Sequence, residues 1–423
     1  MMYNTGSQNP GLNWKFQCMP VLDVKQAAAK IRQNEASYRF QSAEMGAVSR
    51  IDTNQVPSNS PIEDYMASGK IDLGKGGVWH CWAIYDGHGG QQTAIVLSHA
   101  LIPYVERSLR AHFESSTPET TIEDSIISAF TTLAEEISAD GLAALESARS
   151  HAEVQARLAP SYAGSCALLA LYNPSESMLY VANTGDSRAV LGTPAEFGSG
   201  YDTVAMSNDH TAANEAEVER VKALHPDQDN LITKRDGDCA RYVGIAVTRA
   251  FGDARWNWPK EAMTKWEKEF SGKPAPGSVT TPPYLEATPE VKGYKLKGGE
   301  FLVLASDGLW NNLTSEGAVE AVSKWLKATK EGTLAEVGSG TSLAFGGEEA
   351  SPDHAEGISF WEFWQVKPEW FVYEDDNAAT HLVKNGLGGL QRQLFTGVMT
   401  VDTPVSRTMR DDVTVQVVFF DGA

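Results

Sequence analysis

Cysteine and positive charge are both scarce in this sequence. Four cysteines, Cys18, Cys81, Cys166 and Cys239, are spread through 423 residues with no Cys-x-x-Cys pair among them. That spacing excludes a disulfide-stapled scaffold and a structural zinc site, and it fits a reducing compartment. Lys and Arg number 35 against 55 Asp and Glu, a formal charge of −20. Without a long basic run, capture of nucleic acid or of an anionic membrane surface is disfavoured. No apolar run approaches the roughly 18–20 residues that span a bilayer. Residues 1–16 carry neither a secretory apolar core nor an Arg-rich presequence pattern.

What is present describes an ordinary globular protein, with 42% apolar and 21% charged residues. No internal repeat is visible. Residues 1–75 read as polar and loop-like, with one helix near 24–32. Residues 78–85 (VWHCWAIY) are apolar apart from His80, as a strand covered on both faces is. They run into a sharp turn at 86–90 (DGHGG). Helical periodicity occupies 94–113 and 122–145, and strands follow at 165–172, 178–182 and 188–191. Asn214, with Glu217 three residues on, predicts a capping box opening a helix that ends near 225. Further strands are expected at 284–287, 301–305 and 413–420. Early hairpin turns, helices between strands and no regular βα alternation predict an α+β layered fold. Residues 332–359 read as a surface loop rich in Gly, Ser and Glu. Phe360, Trp361, Phe363, Trp364, Trp370, Phe371 and Tyr373 follow closely. They read as a hydrophobic cluster under a long loop, with a docking surface as the alternative.

Several acids stand apart from this background. Asp86 and Asp307 each end a strongly apolar strand and are each followed by glycine. Asp186 sits in a turn between two strands, Asp411 and Asp412 open the last strand, and Glu63 and Asp64 are adjacent after a Pro-containing loop. A carboxylate at the mouth of a buried strand is costly unless paired, hydrogen-bonded or metal-bound. Singly, each is a turn-forming residue; together they suggest one cluster. An all-oxygen site suits Mg²⁺ or Mn²⁺ better than Zn²⁺. Two such ions can lower the pKa of a shared water and aim it at phosphorus. Gly87 lets a backbone carbonyl approach a metal, and His88 in the same turn could protonate a departing alkoxide.

These residues carry a resemblance. The segments 60–64 (SPIED), 85–90 (YDGHGG), 183–188 (NTGDSR), 248–253 (TRAFGD), 306–310 (SDGLW) and 410–412 (RDD) are similar, in order, to the motifs of the metal-dependent (PPM, type 2C) serine/threonine protein phosphatases. The segments 54–64, 207–226 and 374–382 resemble the pyruvate dehydrogenase phosphatase branch of that family. The resemblance implies a central β-sandwich of two antiparallel sheets flanked by helices on both faces. It implies one domain over 1–423, with an N-terminal extension of about 1–40 and an insert of about 328–373. It also implies a centre of two Mg²⁺ or Mn²⁺ ions. Asp86 would bridge them and Gly87 would offer its carbonyl. Asp307 and Asp411 would complete one ion, Glu63 would serve the other through water, and Asp64 would order the surroundings. His88 would be the general acid, and Asp186 would lie near a third, weaker ion position.

Two positions depart from the wider family. Asn59 stands where many relatives have an arginine that clamps the substrate phosphate, a replacement shared by the pyruvate dehydrogenase phosphatase branch. Asn311 stands where many relatives have an acid near the third ion. The expected reaction is hydrolysis of phosphoserine by a metal-bridging hydroxide. The expected substrate is the phosphorylated pyruvate dehydrogenase α subunit, reached by docking on the lipoyl-bearing core of that complex. Another phosphoprotein substrate and a catalytically inactive binding module on the same fold are the alternatives. Localisation by resemblance is the mitochondrial matrix, with the cytoplasm as alternative. Rival chemistries leave no trace in the sequence. There is no Cys-x5-Arg loop, no Gly-x4-Gly-Lys-Ser/Thr loop and no Gly-Asn-His-Glu motif, and the Asp236–Asp238 pair lacks the following Thr or Val of aspartyl-phosphate enzymes.

Overall fold

The apolar run after residue 77 folds as the strand Val78–Tyr85, and its side chains alternate between two layers. Trp79, Cys81, Ala83 and Tyr85 enter one hydrophobic cluster, while Trp82 and Ile84 enter another on the opposite face. The strand Phe301–Ala305 divides in the same way, with Leu302 and Leu304 meeting Trp82 and Ile84 in the shared cluster. A strand apolar on both faces needs cover on both. The computed structural model, which describes residues 20–41, 45–115, 120–147, 150–197, 199–233, 240–340, 342–343 and 365–421, shows that cover as four layers.

Two antiparallel sheets form the middle. One has five strands in the order Glu290–Lys295, Met178–Thr184, Ala167–Asn173, Val78–Tyr85 and Tyr65–Asp72. The other has six, in the order Ala36–Arg39, Val48–Val56, Val413–Phe420, Phe301–Ala305, Arg188–Pro194 and Tyr201–Ala205. Helices Gln92–Glu114 and Ile122–Ser147 cover the first sheet through Leu97, Leu101, Phe130 and Leu133. Helices Val24–Ile31, Ser315–Glu331, Ala378–Gly386 and Arg392–Thr400 cover the second through Ile31, Trp325, Leu382 and Phe395. The α+β sandwich expected from the resemblance is therefore present.

Three local expectations need correction. The first 75 residues are not loop-like throughout: their described part supplies three strands, one of them inside its sheet and two at sheet edges. Polar residues concealed Val48–Val56, because Arg50, Asp52 and Asn54 are buried with distant partners. Arg50 donates to the Asp376 carbonyl, Asp52 accepts the Ala378 N–H at 2.7 Å, and Asn54 donates to Thr380 Oγ1 at 2.8 Å. Residues 284–287 form no strand beyond a bridge between Arg249 and Glu286. The N–H groups of Tyr284 and Leu285 go to the Asn257 side chain, and the strand begins at Glu290. Asn214 does cap the helix Glu215–Leu224, but Glu217 turns inward to Arg220 and Arg249 rather than back to the cap.

Of the aromatic stretch, Trp370 and Phe371 are buried and Tyr373 packs beside them in the helix-side core. Phe360, Trp361, Phe363 and Trp364 lie outside the described residues, as do Cys18, Cys239 and the Asp236–Asp238 pair.

Candidate metal centre and active site

Every expected acid lies at one end of the sandwich, because the strands that carry them all start or stop there. Asp86 follows Val78–Tyr85, Asp307 follows Phe301–Ala305, and Asp186 turns between Met178–Thr184 and Arg188–Pro194. One carboxylate oxygen of each of these three lies within 4.8 Å of the others. The Asp307 N–H points at Asp86 Oδ2 at 3.4 Å, and the Cys166 thiol donates to Asp186 Oδ1 at 3.2 Å. Burial, followed by Asp64, Asp307 and Asp186, pushes Asp86 well above the usual carboxylate range. Asp186 rises to about 7 through burial and the charge of Asp307. Asp307 also rises, by burial, although Arg407 pulls it down. Desolvated, mutually repelling oxygens are a poor arrangement by themselves and a good one around a hard cation. The donor set therefore fits Mg²⁺ or Mn²⁺, and Asp86, Asp186 and Asp307 are the residues that could hold it.

The loop carrying Glu63 and Asp64 is fastened by one residue. Asp412 Oδ1 accepts the N–H of Ser58 at 2.5 Å and of Asn59 at 3.1 Å, and Oδ2 accepts that of Glu63 at 2.8 Å. Glu63 Oε1 then accepts the Gly90 N–H at 2.6 Å, which ties this loop to the turn after Asp86. Gly87 is required for that approach, since a Cβ there would lie 2.3 Å from the Glu63 carbonyl oxygen. Asp64 is buried, accepts the Thr414 hydroxyl at 2.7 Å, and rises to about 7 through burial and the charge of Asp412.

His88 is aimed by a small sheet of its own. Gly87–His88 pairs with Gly164–Ser165, which pairs on its other side with Phe251–Gly252. The side chains of His88 and Asp253 then meet across Gly164, with Nε2 2.8 Å from Asp253 Oδ2. A Cβ on Gly164 would lie 2.0 Å from that nitrogen, so only glycine fits. Burial opposes a charged ring, but Asp253, Asp186 and Glu63 outweigh it, and the His88 pKa is raised.

The remaining expected residues are placed differently. Asp411 lines the same cavity of about 1300 Å³ as Asp86, His88, Asp186 and Asp307, but stands outside the group of three. Its Oδ1 accepts the Asp412 N–H at 2.7 Å and pairs with Arg407. The Asn59 amide donates to Glu63 Oε2 at 2.9 Å, and the Asn311 amide approaches Asp307 Oδ2 at 3.4 Å. Reading the sequence missed the roles of Asp253, Asp412 and Arg407. The first two end motifs already singled out, so position was the available signal; nothing local marked Arg407.

Fold and site together define a class: an antiparallel sandwich with a buried, all-oxygen acidic cluster suited to a divalent ion. The Protein phosphatase 2C family model matches residues 58–342, and the chain belongs to that family. It is accordingly a protein serine/threonine phosphatase. A protein phosphatase 2C homolog of Schizosaccharomyces pombe is 35% identical over 386 residues, 88% of this chain and 80% of that one. The mitochondrial pyruvate dehydrogenase (acetyl-transferring) phosphatase 1 of Saccharomyces cerevisiae is 30% identical over 98% of this chain and 76% of its own. Its human namesake is 27% identical over 99% and 86%. A solved Caenorhabditis elegans sex determining protein shares the fold, with a TM-score of 0.50 at 13% identity over 88% of this chain and 65% of that chain. Among the described residues no helix is long and apolar enough to cross a membrane.

Proposed function

We propose that this chain removes phosphate from phosphoserine of the pyruvate dehydrogenase α subunit, using two Mg²⁺ or Mn²⁺ ions held by the acidic cluster. The observation that carries the metal reading is the convergence of Asp86, Asp186 and Asp307 at the sandwich end. Bound there, the ions would supply an activated water and offset the phosphate charge. Asp86, Asp307, Asp411, Glu63 and the Gly87 carbonyl would hold them. Asp186 would serve a third position, and Asp64 would order the surroundings through Thr414.

The chain's own chemistry then falls to the His88 turn. A serine alkoxide is a poor leaving group, and His88, whose pKa Asp253 raises, would donate a proton to it. His88→Ala is expected to lower kcat on a phosphoserine peptide by about a hundredfold. An aryl phosphate, whose leaving group needs no proton, should lose far less. Equal losses on both substrates would remove the acid role.

The substrate reading is supported by the yeast and human relatives, whose names specify pyruvate dehydrogenase; the same names say mitochondrial, and the matrix is the compartment proposed with this reading. Docking on the lipoyl-bearing core belongs to this reading. The test is phosphate release from the phosphorylated α subunit, alone and within the assembled complex, with and without Mg²⁺ or Mn²⁺. An unrelated phosphoprotein dephosphorylated just as fast would redirect the substrate assignment while keeping the phosphatase.

A further inference from the structure

A phosphate dianion entering this cavity meets the carboxylates of Asp86, Asp186, Asp307 and Asp411. Two divalent ions offset part of that charge, and binding a dianion at the rim calls for a cation from the protein. Asn59 brings no charge, and its amide is already bonded to Glu63. Arg188 is held by both Asp209 oxygens at 2.9 and 2.6 Å. Arg410 is buried and donates to the carbonyls of Val398 and Pro57 at 2.8 and 2.9 Å. Arg255 donates to the Pro274 carbonyl at 3.0 Å.

Arg407 differs from these in place and in partner. It lies in the 3₁₀ turn Val405–Thr408, which is pinned where Ser406 Oγ donates to the Ser58 carbonyl at 2.5 Å. The residue before Arg407 is thereby tied to Ser58, the residue that precedes Asn59. The Arg407 side chain is 40% exposed, lines the cavity and reaches Asp411. An ion held by Asp411 would compete for that carboxylate and turn the guanidinium towards an incoming anion. We infer that Arg407 is the phosphate-binding cation of this enzyme, supplying from the C-terminal turn the charge that position 59 lacks. The inference rests on the phosphatase reading above.

The test compares the unaltered enzyme with Arg407→Gln, Arg407→Lys and Lys273→Gln, the last changing another cavity-lining cation. Each is assayed on p-nitrophenyl phosphate at saturating Mn²⁺, with inorganic phosphate as inhibitor, and inorganic phosphate binding is measured by calorimetry. Arg407→Gln is expected to raise KM and the phosphate inhibition constant together, by roughly tenfold or more, with a smaller change in kcat. Arg407→Lys should fall between, because an ammonium lacks the two-pronged fork. Lys273→Gln should leave both constants near the parental values.

Unchanged constants in folded Arg407→Gln would overturn the inference. So would a loss carried by Lys273→Gln instead, or a reduced Mn²⁺ requirement with KM unaltered. If the Gln variant does not fold, Arg407→Lys decides by the same two constants. An unaltered enzyme that releases no phosphate with metal sinks the phosphatase reading itself; turnover with unaffected Arg407 variants sinks only this assignment.

Discussion

Asp86→Asn is expected to lower metal-dependent phosphate release by roughly a thousandfold, about 4 kcal/mol of barrier, while leaving the metal-free fold intact. Asp86 is the carboxylate on which Asp64, Asp307 and Asp186 all press, in addition to its own burial. Asparagine keeps the shape and removes that repulsion, so the metal-free variant should melt at or above the parental temperature. Ion binding should tell the opposite story. A ligand that binds only the folded state raises Tm, and raises it more the tighter it binds, so the rise given by Mn²⁺ in the parent should shrink in Asp86→Asn. Calorimetric melting with and without Mn²⁺, beside a phosphate-release assay, reads both. Parental turnover in the variant, or an undiminished Mn²⁺ shift, would remove Asp86 from the metal centre.

How far the sequence reveals this centre depends on how its residues are held. Asp86 and Asp307 were legible because each interrupts an apolar run, and a charge there needs a reason. The strand Val78–Tyr85 was legible for the same cause, since both of its faces are covered and it has no polar side to confuse the pattern. Val48–Val56 was not, because Arg50, Asp52 and Asn54 find partners more than 300 residues away or on another element. No local pattern encodes such long-range pairing. His88 was visible from its glycine-flanked turn, whereas its partner Asp253 is 165 residues distant. Only the short sheet through Gly164 brings the two together. The Asn59 position shows the complementary failure. The missing charge could be noticed in the sequence, but where another charge enters depends on the Ser406 contact with Ser58, which only the fold supplies.

The second large effect concerns stability, at Glu217. It is nearly fully buried and accepts from Arg249 Nη2 at 2.6 Å, Arg220 Nη2 at 2.7 Å and Thr248 Oγ1 at 2.5 Å. Among the described residues Arg249, also buried, would keep only the half-buried Glu286 at 3.9 Å and the Thr288 carbonyl if Glu217 were removed. Removing one partner of a buried pair costs about 3–5 kcal/mol, so Glu217→Ala should lower Tm by about 4–6 °C in a chain of this size. Burial alone would raise the Glu217 pKa, but Arg220, Arg249 and Thr248 overcome it and hold it below the ordinary 4.5. A carboxylate depressed by folding stabilises the protein above its unfolded pKa and loses that contribution as pH falls. The gap in Tm between parent and Glu217→Ala should therefore be full at pH 7 and narrow progressively below about pH 4.5. The same substitution frees the segment that carries Asp253 to His88, so turnover on phosphoserine should fall more than turnover on an aryl phosphate. A Glu217→Ala protein melting within about a degree of the parent at pH 7 would show that the Thr248–Arg249 segment is held by something other than this ion pair.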